Sequence, residues 1–150
     1  MKIVNQIICL FIGLALFACG SGGDDSVDGT NPSITLNSPT EATTILPGSV
    51  LKVSASLSDD IGLEEYVLTI SAGGTKSVKN VEEFSFNSYT DTDAYGNSLP
   101  AIKGMKSTEL SFDIGIADNA RAGFYTFTLS VKDQAGNGSE ETLQLEISRP

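Results

Sequence analysis

From Pro32 onward, apolar side chains return at every second position in one short run after another. Leu51, Val53, Ala55 and Leu57 alternate with Lys52, Ser54, Ser56 and Ser58, and Tyr125, Phe127, Leu129 and Val131 alternate with Thr126, Thr128, Ser130 and Lys132. A period of two puts one set of side chains on each face of a strand, so this pattern describes sheets with one dry and one wet side. No segment after Pro32 carries the three-and-four spacing of an amphipathic helix. The expected class is all-β. Five further strands complete the count. Ser33–Asn37 is fenced by Pro32 and Pro39; Tyr66, Leu68 and Ile70 form one inward face; Leu110, Phe112, Ile114 and Ile116 form another, and Leu143, Leu145 and Ile147 a third. The remaining strand is either Ser77–Val81 or Phe84–Phe86, after the turn at Gly73-Gly74.

About seven antiparallel strands at this spacing predict an immunoglobulin-like antiparallel β-sandwich over residues 32–150. Gly123-Phe124-Tyr125-Thr126-Phe127 fits the tyrosine corner of that fold, with Phe127 where a cysteine usually stands, facing Val53 or Ala55; alternatively Tyr125 is one more core aromatic. In either case its hydroxyl needs a partner. Each large apolar side chain fully buried contributes roughly 1.5–3 kcal/mol. Seven such strands offset chain entropy without crosslinks.

None would be available. The chain has two cysteines, Cys9 and Cys19. Cys9 lies in an export signal over residues 1–18, in which Lys2 precedes the apolar run Ile7–Phe17, too short to span a bilayer. Leu16-Phe17-Ala18-Cys19 resembles the bacterial lipoprotein signal, which implies cleavage before Cys19 and acylation of its side chain. Residues 19–31 then read as the acylated cysteine and a flexible tether, Gly20-Ser21-Gly22-Gly23-Asp24-Asp25-Ser26 being polar and glycine-rich. Gly20 lacks the aspartate that retains lipoproteins at the inner membrane. Asp24 and Asp25 resemble the acidic tether signal of Bacteroidota surface lipoproteins, so the expected location is the outer membrane, lipid-anchored, at the cell surface.

The formal charge is −10, and loss of residues 1–18 removes Lys2 and no acid, making it −11. This excludes nucleic acid, whose phosphates are held by lysine and arginine. The absence of histidine excludes Ser-His-Asp and Cys-His chemistry and any imidazole-ligated metal. No Gly-x-Ser-x-Gly, Ser-x-x-Lys or phosphate-cradling glycine loop occurs. The chain is not expected to be an enzyme.

Pro32–Pro39, Pro47-Gly48, Ser58-Asp59-Asp60-Ile61-Gly62-Leu63, Ala122–Tyr125 and Asp133-Gln134-Ala135-Gly136-Asn137 follow one another along the chain. Together they resemble a Bacteroidota family of immunoglobulin-like lipoprotein domains of unknown function. The resemblance covers roughly residues 30–149. It implies the sandwich fold and no defined activity. Members carry histidines in mid-domain loops, and since this chain has none, no metal role based on them carries over.

Carboxylates are the remaining metal ligands, and they suit calcium. Asp91-Thr92-Asp93-Ala94-Tyr95-Gly96 opens like an EF-hand loop, but Tyr95 at its fifth position and Ile102 at its twelfth reject that motif. In the expected fold, loops bearing Asp59, Asp60, Asp91, Asp93 and Asp133, with Asn137, gather at one end, and converging carboxylates repel unless a cation sits between them. These five residues are the candidate calcium ligands. Turn chemistry alone is the competing explanation. The other candidate is Ser88–Lys106, 19 residues without strand alternation. Loops beyond about 12–15 residues in compact domains are usually functional or disordered. Tyr89, Asp91, Asp93, Tyr95 and Asn97 form its candidate binding surface, since tyrosines beside small polar residues make adaptable contacts. The competing reading is a floppy insertion. The expected function is an outer-membrane lipoprotein with a non-catalytic binding or adhesion module for a glycan or protein. The alternatives are a structural or accessory surface lipoprotein without a small-molecule ligand, or a calcium-stabilised module. One objection stands: the tether spans only about 19 Å, and a loop gathered at the end where the first strand begins would face the membrane.

Overall fold

The computed structural model describes residues 28–73 and 84–148. The elements are β1 (Ser33–Ser38), β2 (Thr43–Ile45), β3 (Val50–Ser58), β4 (Leu63–Ala72), β5 (Phe86–Asn87), β6 (Ser107–Gly115), β7 (Gly123–Asp133) and β8 (Gly138–Ile147). They form two sheets, one in the order β1-β3-β6 and the other in the order β2-β8-β7-β4-β5. No helix occurs among the described residues.

The period of two in the sequence becomes alternating burial. Along β7 every second residue from Tyr125 to Asp133 is buried, and β3 buries Leu51, Val53, Ala55 and Leu57 while exposing Lys52. The inward sets of both sheets merge into one core containing Val53, Ala55, Leu68, Leu110, Phe127 and Leu129. Tyr125 is 2% exposed and its hydroxyl donates to the Arg121 carbonyl at 2.7 Å, the tyrosine-corner bond. Two facing, mainly antiparallel sheets with this corner make an immunoglobulin-like sandwich.

Two elements differ from the expectation. β2 is an eighth strand, parallel to β8 through Thr43–Leu145 and Ile45–Ile147. Three residues are too few to display alternation. Pro39 has no N–H with which to extend the β1 ladder, and after it the chain passes from the edge of one sheet to the edge of the other. β5 is only two residues long, at Phe86–Asn87; the alternative Ser77–Val81 lies outside the described residues.

Register defines two ends. Ser33, Ser58 and Ser107 lie at one end of the first sheet, where Leu63, Asp133 and Gly138 lie in the second. Val50, Gly115, Ala72 and Ile147 mark the opposite end. The former is the leader end, because the chain enters β1 there.

Candidate functional site

Ser88–Lys106 joins β5 in one sheet to β6 in the other, and it lies along their open edge as a strap. Ser88 continues the β4 pairing: its N–H donates to the Leu68 carbonyl and its hydroxyl accepts from the Leu68 N–H. Asp91 closes a turn by accepting from the Asn87 N–H at 2.7 Å. Asp93 closes a second, accepting from the N–H groups of Tyr95 and Asn97 and from the Asn97 side-chain amide. That amide bond, then the backbone donors of Asn97, Tyr95 and Gly96, outweigh burial and hold the Asp93 carboxyl below the ordinary carboxylate range. The Ala94 N–H donates to the Asp113 carbonyl at 2.7 Å, Ile102 is buried, and Gly104 and Met105 exchange backbone bonds with Leu63. The segment is pinned along its length, not a floppy insertion.

This pinning holds two aromatic rings in solvent. Tyr89 is 64% exposed and Tyr95 72%. Each ring is oriented through its hydroxyl, Tyr89 donating to Glu65 at 3.0 Å and Tyr95 to Asp113 at 3.3 Å. The Glu65 bond pushes the Tyr89 phenol above its ordinary range. Tyr89 borders an open cleft of about 380 Å³ with Tyr66, Thr90, Leu99 and Pro100. Tyr95 borders another of about 400 Å³ with Ser49, Val50 and Asp118. The Tyr66 hydroxyl, beneath the first cleft, is buried without a hydrogen-bond partner among the described residues, and burial pushes its pKa up to about 12.

The strap also separates residues that the sequence suggested would converge. Asp91 and Asp93 lie toward Ile114 and Gly115, whereas Asp59 and Asp133 lie at the leader end. Ser107 to Asp113 along β6 is about 20 Å at strand rise. The physical reason is that the strap runs lengthwise down the sandwich edge and does not loop across its end. Asp91 and Asp93 are committed to their own turns. Asp60 is exposed and also stands outside the cluster, with only its carbonyl engaged, by the Lys106 ammonium.

At the leader end the carboxylates of Asp28, Asp59 and Asp133 do come together, with one oxygen of each within 4.8 Å of the others. Asp59 Oδ2 accepts from the N–H groups of Ile61 and Gly62, the turn bonds its sequence context suggests. Asp133 is 2% exposed; burial pushes its carboxyl up, but the Asn137 side-chain amide and the N–H groups of Asn137, Gly136 and Ala135 bring it below the ordinary range. Asp28 was not singled out by sequence because it sits in the segment read as tether. Yet Asn137 donates to its carbonyl at 3.1 Å, and Ser139 donates to that of Pro32. An aspartate a few residues ahead of the first strand was the signal available. Cys19 lies outside the described residues.

The fold has known counterparts. The sialic-acid-binding region of a Streptococcus sanguinis adhesin, solved with 3'sLn, is 18% identical, with a TM-score of 0.50 over 81% of this chain and 31% of that one. A DUF4466 family protein from Parabacteroides merdae is 16% identical, with a TM-score of 0.48 over 79% and 44% of the two chains. Fibronectin(III)-like modules of Clostridium thermocellum CbhA are 12% identical, with a TM-score of 0.45 over 79% and 47%. The chain spans less than half of each of these structures, and at such identities they bear on fold alone. No curated protein matches the sequence. Residues 17–148 match DUF4625, a domain of unknown function. The chain belongs to the DUF4625 family.

Proposed function

We propose that this chain is a non-catalytic binding module, anchored in the outer membrane through lipidated Cys19 and facing the exterior, whose contact surface for a glycan or protein is the Ser88–Lys106 strap. The observation that carries the reading is the pair of exposed, oriented tyrosines, Tyr89 and Tyr95, on a backbone-pinned segment beside open clefts. An exposed aromatic fixed before binding loses little conformational freedom on contact, so its apolar face is available at low entropic cost. A sialic-acid-binding adhesin region shares the fold, and a glycan is one of the two ligand classes proposed.

The topology supports an outward-facing contact surface against the orientation objection. The chain enters at the leader end, while Tyr95 sits beside Val50 and Asp118 at the opposite end. A lipid at Cys19 would leave that end pointing away from the membrane. Two measurements test the proposal. Chemical-shift changes on adding glycans or surface proteins are expected to cluster in Ser88–Lys106; changes elsewhere, or none, count against it. Labelled palmitate is expected to enter the chain in cells and to be lost in Cys19→Ala; label retained in that variant, or absent from the wild type, refutes the anchor.

A further inference from the structure

The three clustered carboxylates come from three separate segments: Asp28 ahead of β1, Asp59 in the β3–β4 loop, and Asp133 at the end of β7. Oδ2 of Asp28 and Oδ1 of Asp59 are shut off from water and have no hydrogen-bond partner among the described residues. The hydrogen bonds these carboxylates do accept come from neutral donors: Thr30 N–H to Asp28, Ile61 and Gly62 N–H to Asp59, and Asn137 to Asp133. Buried anionic oxygens without donors are strongly disfavoured unless a cation meets them.

We infer that Asp28, Asp59 and Asp133 form a calcium site that clamps the leader segment onto the sandwich. Donor chemistry selects the ion. The cluster offers only carboxylate oxygens, in a chain without histidine and with cysteines only at 9 and 19, so a hard cation is favoured over zinc or copper. Calcium–oxygen distances of about 2.3–2.6 Å allow ligands on opposite sides to stand up to about 5 Å apart, which accommodates oxygens within 4.8 Å. Magnesium demands a tighter octahedron and keeps most of its waters, so an all-protein set drawn from three segments suits it less well.

The clamp has a direction. Asp59 and Asp133 are fixed by their turns, whereas Asp28 is held by Thr30 and, through its carbonyl, by Asn137. Without the cation, repulsion among three anions is relieved most easily by Asp28 swinging away, and the residues ahead of β1 go with it. Calcium would therefore decide whether residues 28–31 lie against the β7–β8 turn. The inference depends neither on lipidation nor on the strap's ligand.

The test uses the full chain, purified in mild detergent and stripped with a chelator, titrated calorimetrically with calcium chloride alone. One site is expected, with Kd in the range of about 10⁻⁴–10⁻³ M found for extracellular calcium modules. Asp28→Asn is expected to weaken it at least tenfold with an unchanged circular dichroism spectrum, and Asp91→Asn to leave it unchanged. Calcium is also expected to slow amide exchange at Thr30 and Asn137 in the wild type but not in Asp28→Asn. No uptake at about 10 mM calcium, equal affinity in Asp28→Asn, or magnesium bound as tightly as calcium would each overturn the inference.

Discussion

Tyr66 and Tyr125 are both tyrosines on inward faces of the second sheet, and replacing each by phenylalanine should change stability in opposite directions. The Tyr125 hydroxyl donates to the Arg121 carbonyl at 2.7 Å and is nearly inaccessible. Its removal forfeits the hydrogen bond, a net loss of about 0.5–1.5 kcal/mol. The Tyr66 hydroxyl is buried with no partner among the described residues, while its ring packs near Phe112 at 6.3 Å between centroids. Its removal keeps the ring and abolishes an uncompensated desolvation. Because the residue as a whole is only half-buried, the gain is set at the low end, about 0.5–1 kcal/mol. At roughly 4 °C per kcal/mol for a domain of this size, Tyr125→Phe should melt about 2–6 °C lower and Tyr66→Phe about 2–4 °C higher. Urea denaturation with unchanged m-values gives the same comparison isothermally. If Tyr66→Phe destabilises as much as Tyr125→Phe, the Tyr66 hydroxyl has a partner and the reasoning fails.

The remaining predictions concern the strap and one turn. Asp93 titrates below its unfolded value of about 3.9 because Asn97 and neighbouring N–H groups hold its anion. A depressed folded pKa gives stability that is fully present above the unfolded value and lost as pH falls through the folded one. The urea midpoint should therefore fall below about pH 4, and by less in Asp93→Asn; an identical fall in both would show that Asp93 contributes nothing. Gly48 has φ +74°, and a β-carbon there would clash with the Asp118 carboxylate. Gly48→Ala is expected to cost about 1–2 kcal/mol in urea titrations, and a neutral result would mean the turn can readjust. Tyr89→Ala and Tyr95→Ala should leave the melting temperature within about 2 °C, since exposed side chains contribute little, yet remove the chemical-shift response to whatever ligand the strap takes. A melt lowered as far as a core variant would make these rings structural.

Period-two alternation was strong enough to read the long strands directly from sequence. The alternating run Leu51–Ser58 falls within β3, and the inward sets of β4, β6, β7 and β8 are those the pattern named. Alternation is a local consequence of having one dry face, so it survives translation into one dimension. The tyrosine corner was legible for the same reason, because Arg121 and Tyr125 are four residues apart and their bond needs little beyond local geometry. β2 was not legible, because three residues carry no period and its partner β8 lies a hundred residues away.

What tertiary structure alone decided is which carboxylates share a location. Asp59 and Asp133 converge because β3 and β7 deliver their loops to one end of the sandwich, and Asp28 joins them because the leader folds back on Asn137. Asp91 and Asp93 were assigned to that end by loop order, but backbone bonds to Asp113 and Leu63 stretch their segment along the sheet edge instead. Residue type and spacing determine which face a side chain takes. Distances between loops depend on how two sheets are stacked and closed, and no local pattern encodes them.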